Sequence, residues 1–182
     1  MQAADAYQHD RERDALRILR PLRERLPDSP SVRELTGLAQ YRLGNYNAAA
    51  KELEAYVGLT DAVDQHPVLM DCYRAQRRWK KVDDAWEELA SISPSAELVA
   101  EGRIVYAGSL ADRGRLRDAL EVLRKKAAPV RSPRERHLRL WYALADLEER
   151  AGNLATARDL FDRVRTVDPS FADVAERRAS LG

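Results

Sequence analysis

An alanine followed four residues later by a large apolar residue recurs five times: Ala15/Leu19, Ala49/Leu53, Ala85/Leu89, Ala119/Leu123 and Ala157/Phe161. Successive alanines lie 34, 36, 34 and 38 residues apart. A unit of that size cannot bury its hydrophobic face alone, so a beat this regular demands a fold in which neighbouring units stack. Within each unit apolar residues recur at helical spacing, as Leu19, Leu22 and Leu26 do, and almost no stretch alternates with period two. The pattern therefore predicts pairs of amphipathic helices and an all-α class.

Other landmarks keep the same beat. Gly37, Ala107 and Ala145 stand where two helices must cross closely, and Gly44, Gly114 and Gly152 stand between paired helices, where glycine takes the left-handed angle that ends a helix. Pro27 and Pro169 stop second helices. The last unit, LRLWYALADLEERAGNLATARDLFDRVRTVDP, carries Trp141, Leu144, Ala145, Gly152, Ala157, Phe161 and Pro169 in register with W-x2-L-G…A-x3-F…P, with Glu148 in place of the consensus Tyr. On these residues the chain resembles the tetratricopeptide repeat (TPR) family over nearly its whole length, and within it small bacterial TPR proteins. The resemblance implies a right-handed α-solenoid of about five TPR-like helix-turn-helix repeats in a single domain, 1–182. The repeats fall at 1–29 (shortened), 30–62, 66–97, 99–128 and 137–169, with a C-terminal capping helix over 170–182.

The units are unequal. Residues 1–8 supply only two turns of a first helix, and Pro21 should kink the second or displace its start. In the third unit Lys80 takes the place of the turn glycine and Tyr73 that of the small residue, so Trp79, Val82 and Trp86 must rebuild the packing. Two prolines make 127–133 an extended connection.

Composition removes several classes. With 31 basic and 30 acidic residues the net charge is +1, which takes away the simplest case for nucleic-acid binding. No apolar run approaches ~18 residues, so no membrane span is expected. The lone Cys72 excludes an intrachain disulfide and reads as a buried packing residue suited to a reducing cytoplasm. The start lacks a secretory leader, and Met1 is as compatible with a trimmed piece as with a native start. Of the basic residues 26 are Arg, as in a GC-rich bacterial genome. His9, His66 and His137 fall in different units and no metal, nucleotide or nucleophile motif occurs, so structural roles, no cofactor and no catalysis are expected. Adjacent carboxylates such as Glu148-Glu149 diverge on a helix and read as solvated faces.

The resemblance implies a concave groove lined by first helices, for a peptide or protein partner. Groove positions are Glu34, Leu38 and Tyr41; Met70, Arg74 and Arg77; Glu101, Ile104 and Gly108; and Arg139, Tyr142, Asp146 and Glu149, with Arg42 and Arg78 at the edge. Tyr41, Met70, Arg74, Arg77, Ile104 and Tyr142 are the expected anchors, since Tyr, Met and Arg suit protein recognition. These positions hold no Lys or Asn, so the carboxylate-reading specificity of chaperone-binding TPR domains does not carry over. A second reading rests on Arg124, Lys125, Lys126, Arg131, Arg134, Arg136 and Arg139, which with Glu135 give +6 in 16 residues and could meet RNA phosphates. A third is self-association, as a homodimer or larger assembly, through the uncapped first unit.

Overall fold

Helices are paired by a turn that repeats almost unchanged. The computed structural model describes residues 2–182. Among them are eleven helices and no strand: α1 (Gln2–Gln8), α2 (Glu12–Arg25), α3 (Pro30–Arg42), α4 (Tyr46–Thr60), α5 (His66–Ala75), α6 (Trp79–Ile92), α7 (Ala96–Asp112), α8 (Leu116–Arg124), α9 (Glu135–Arg150), α10 (Leu154–Val167) and α11 (Val174–Ser180). Ten of them form five antiparallel pairs, and α11 packs on α10 as the final element. No described helix is long and apolar enough to cross a membrane.

Each pair turns on one left-handed residue: Asp10 (φ 53°), Gly44 (74°), Arg77 (56°), Gly114 (79°) and Gly152 (80°). The following amide closes each first helix by bonding back to a carbonyl five residues earlier: Arg11 to Ala6, Asn45 to Gln40, Arg78 to Tyr73, Arg115 to Leu110 and Asn153 to Glu148, all at 2.8–2.9 Å. This is the Schellman closure, and it satisfies carbonyls that a helix end leaves bare.

The turns correct the register of the third repeat. Its turn residue is Arg77, not Lys80, which moves the small-residue position from Tyr73 to Met70 and the second-helix alanine position from Ala85 to Val82. A slip of three residues rotates a helix by only ~60° from its starting face. Val82, Ala85 and Leu89 are accordingly all buried, and the apolar pattern does not separate the two registers. Arg77→Gly is expected to raise stability by about 0.5–1 kcal/mol. This is the relief of a left-handed backbone less the extra freedom of glycine in the unfolded chain. Thermal unfolding beside the wild type measures it, and a lowered midpoint would contradict the turn assignment.

Pro21 neither displaces α2 nor interrupts it: the helix runs from Glu12 to Arg25 with Pro21 on its exposed side. Gly37 meets its expected role, since a Cβ there would lie 2.7 Å from Leu53 Cγ, on a fully buried side chain.

The chain divides into two compact units, one running to Ile92 and one spanning Ser93–Gly182. In the first, three pairs stack through α2 on α3 and α4 on α5. In the second, α9 packs on both α7 and α8, and the core gathers Leu110, Leu123, Trp141, Phe161 and Val164.

Candidate functional site

First-helix side chains meet across repeat boundaries. In the first unit the Tyr41 hydroxyl donates to Asp71 Oδ2 at 2.8 Å, and Arg74 donates to Asp71 Oδ1 at 3.2 Å. Burial, and then the Asp71 charge, push the Tyr41 phenol well above its usual range, so it stays a donor. Beside this triad Gln65 donates to Glu34 at 2.9 Å. In the second unit Arg139 donates to Glu101 at 2.6 Å, and Arg136 reaches Glu97. Rows of half-exposed polar and aromatic groups are therefore tied side by side along each unit.

Several expected groove residues lie elsewhere. Met70 is fully buried, because it fills the small-residue position of its repeat. Arg77 forms the left-handed turn. Arg42 clamps α3 to the first pair, donating to the Tyr7 carbonyl at 3.0 Å and Asp10 at 3.1 Å with its guanidinium 3.9 Å from the Tyr7 ring centre. Ile104 is half-buried against the second unit's core. Tyr142, Asp146 and Glu149 do converge, but on the chain's own C-terminal helix. Asp173 accepts from the Tyr142 hydroxyl, and Arg177 donates to Asp146 at 2.9 Å and Glu149 at 2.7 Å.

The basic patch is largely neutralised. Arg124 bonds Glu148, Lys125 stands 2.8 Å from Glu121, Arg134 and Arg136 share Glu97, and Arg139 holds Glu101. That leaves Lys126 and Arg131 as exposed charges without an ion pair among the described residues. Counting along the chain missed this because the neutralising Glu97, Glu101 and Glu148 come from other helices.

A sequence model described as the tetratricopeptide repeat matches residues 1–67, and a second of the same description matches 138–181. The chain belongs to the tetratricopeptide repeat family. Solved TPR structures agree on the fold. A thermophilic TPR protein of Thermus thermophilus is 21% identical, with TM-score 0.74, covering 99% of this chain and 95% of that one. TPR-like repeats of a kinesin light chain from Podosopora anserina are 16% identical, with TM-score 0.72 and 94% of each chain covered. MamA from Desulfovibrio magneticus is 15% identical, with TM-score 0.68 and 93% and 92% covered. Comparison with curated proteins finds no match.

Against the TPR pattern, the departure at the aromatic position is filled by polar chemistry. Glu148, at the consensus Tyr position, is fully buried rather than solvated. Arg124 of the preceding second helix grips it with two 2.8 Å bonds, and Asn153 adds a third at 2.8 Å. The signal was present, since Trp141, Leu144, Ala145 and Glu148 form one buried helical stripe. Glu52, 3% exposed, is likewise held by Arg23 and, at 2.8 Å, by Arg33.

Cys72 and His66 both lie in the interior of the first unit. Cys72 is fully buried, and burial with the Asp71 charge pushes its thiol up to about 12. His66 is buried, with Nε2 2.9 Å from Glu88. Among the described residues no group of His, Cys, Asp and Glu is placed to hold a metal.

His137 caps α9 in reverse, its Nδ1 accepting the Arg134 amide at 2.9 Å. The cap needs a neutral ring, and burial together with Arg136 lowers the His137 pKa below its usual 6.5. Because the folded value is the lower one, the stabilisation is present above 6.5 and lost as pH falls through the folded value. The difference in unfolding midpoint between wild type and His137→Ala is thus expected to shrink on acidification below about pH 6.5. A difference constant with pH would remove the cap from the account.

Proposed function

We propose that the protein is a non-catalytic interaction scaffold that takes a peptide or protein partner on the first-helix faces of its repeats. TPR repeats generally mediate protein–protein interaction, and the observation that supports this reading here is the Tyr41–Asp71–Arg74 triad. It presents an aromatic hydroxyl, a carboxylate and a guanidinium on half-exposed side chains of two neighbouring repeats. Tyr and Arg are the residue types that dominate binding energy at protein interfaces. Holding them in a bonded array before a partner arrives lowers the ordering cost of association.

The test is affinity capture from the source lysate with wild type beside Tyr41→Ala/Arg74→Ala. The double variant is expected to lose captured partner at least tenfold while its helical circular dichroism stays unchanged. Equal capture by a folded double variant would overturn the reading.

A further inference from the structure

The end of the last repeat holds a guanidinium site, filled by the chain's own C-terminal helix. Arg177 of α11 donates to Asp146 Oδ1 at 2.9 Å and to Glu149 Oε2 at 2.7 Å. Its guanidinium carbon lies 5.2 Å from the Phe161 ring centre and 6.0 Å from that of Tyr142. One guanidinium nitrogen, Nη2, serves both carboxylates while the two aromatic rings lie beside the planar cation, so ion pairing and cation–π contact hold it together. Arg150 stands 3.9 Å from the other Asp146 oxygen and shares that carboxylate, while Glu149 accepts from Arg177. A third acid continues the pattern, with Asp162 accepting from Arg178 at 2.8 Å, and Val174 is the buried apolar anchor between these arginines and the α10–α11 link.

The occupant is held by the site more than by itself. α11 has seven residues, too few for a stable helix in isolation. The six-residue link before it contains Ala172 at φ 47°, a left-handed angle that an alanine adopts only under constraint.

We propose that this face of α9 and α10 is a receptor for an arginine-bearing amphipathic helix of a partner protein, and that α11 is its resident, displaceable occupant. The proposal rests on the interaction-scaffold reading and adds to it the chemistry of one partner: an apolar residue followed three and four positions later by arginines, as in Val174, Arg177 and Arg178. Charge complementarity selects that partner, because Asp146, Glu149 and Asp162 supply the negative side. When the partner docks, α11 leaves and the link relaxes.

The probe is a labelled peptide of residues 169–182 added to the full chain and followed by fluorescence anisotropy. Arg177→Ala weakens the resident helix, so this variant is expected to bind the peptide at least tenfold more tightly than the wild type does. A peptide carrying Arg177→Glu should fail on it. That same peptide should regain binding on the Asp146→Arg/Glu149→Arg/Arg177→Ala chain. Arg177→Lys, which keeps the charge and loses the planar group beside the Phe161 and Tyr142 rings, serves where Arg177→Ala is not folded by circular dichroism, and should fall between. Equal or absent peptide binding by a folded variant overturns the proposal. So does a concentration-dependent wild-type dimer that Arg177→Ala abolishes, which would assign the receptor to a second copy. The triad variants lie in the other unit, so failure here leaves the capture experiment to decide the broader reading.

Discussion

Arg124→Ala is expected to lower stability by about 2–3 kcal/mol, a fall of roughly 5–10 °C in the unfolding midpoint for a chain of this size. The reason lies in what is left behind. Glu148 has 1% of its side chain exposed, and without Arg124 its carboxylate keeps only the Asn153 amide. A buried charge stripped of its partner costs about 3–5 kcal/mol. The figure is reduced here because Arg124 is 53% exposed, and water enters where it stood. The exposed pair Lys125–Glu121, with both side chains 66% exposed, gives the contrast: Lys125→Ala is expected to cost no more than ~0.5 kcal/mol. The double change Arg124→Leu/Glu148→Tyr replaces the ion pair with the aromatic of the TPR pattern and is expected to recover most of the loss. Thermal denaturation of the four chains settles the point. If Arg124→Ala matches Lys125→Ala, the buried bridge contributes nothing and Glu148 is solvated after all.

The same residue shows where sequence is legible and where it is not. Period, helix pairing, the turn glycines and the terminal cap can all be read along the chain, because each depends on residues near in sequence and on backbone geometry that only a few residue types permit. The register of the third repeat cannot. Its turn carries Arg77, and the surrounding apolar pattern looks nearly the same after a three-residue slip. Ion pairs are harder still. Arg124 reads as a free charge in a basic run until the fold brings Glu148 to it from 24 residues away. The acidic end of the expected groove reads as open surface until α11 returns Arg177 across 28 and 31 residues to Glu149 and Asp146. Tyr41 was legible as a face residue, but not its bond to Asp71, which comes from the next repeat, 30 residues away.

Trp141→Ala is expected to cost the most of any single change, about 3–5 kcal/mol. Trp141 is 1% exposed and forms the centre of the second unit's core, so its removal opens a cavity lined by side chains that are themselves packed on both pairs. It has a second job. Its indole Nε1 donates to the Ala127 carbonyl at 3.0 Å, and Arg163, 5.2 Å over the ring, reaches the same carbonyl at 3.4 Å. That bond pins the Pro-containing connection between α8 and α9 to the core. Trp141→Phe keeps most of the volume and drops the donor, so it separates the two effects. It is expected to cost about 1–2 kcal/mol, with faster hydrogen exchange concentrated around the α8–α9 connection. Trp141→Ala should speed exchange throughout α7 to α10. The first unit has buried residues of its own, Leu53, Met70 and Leu89 among them, and its protection is expected to change least. In a stack of repeats stability is the sum of local units and their junctions, so loss at one core need not spread evenly. Exchange that rises equally in α1 to α6 would show instead that the two units unfold as one.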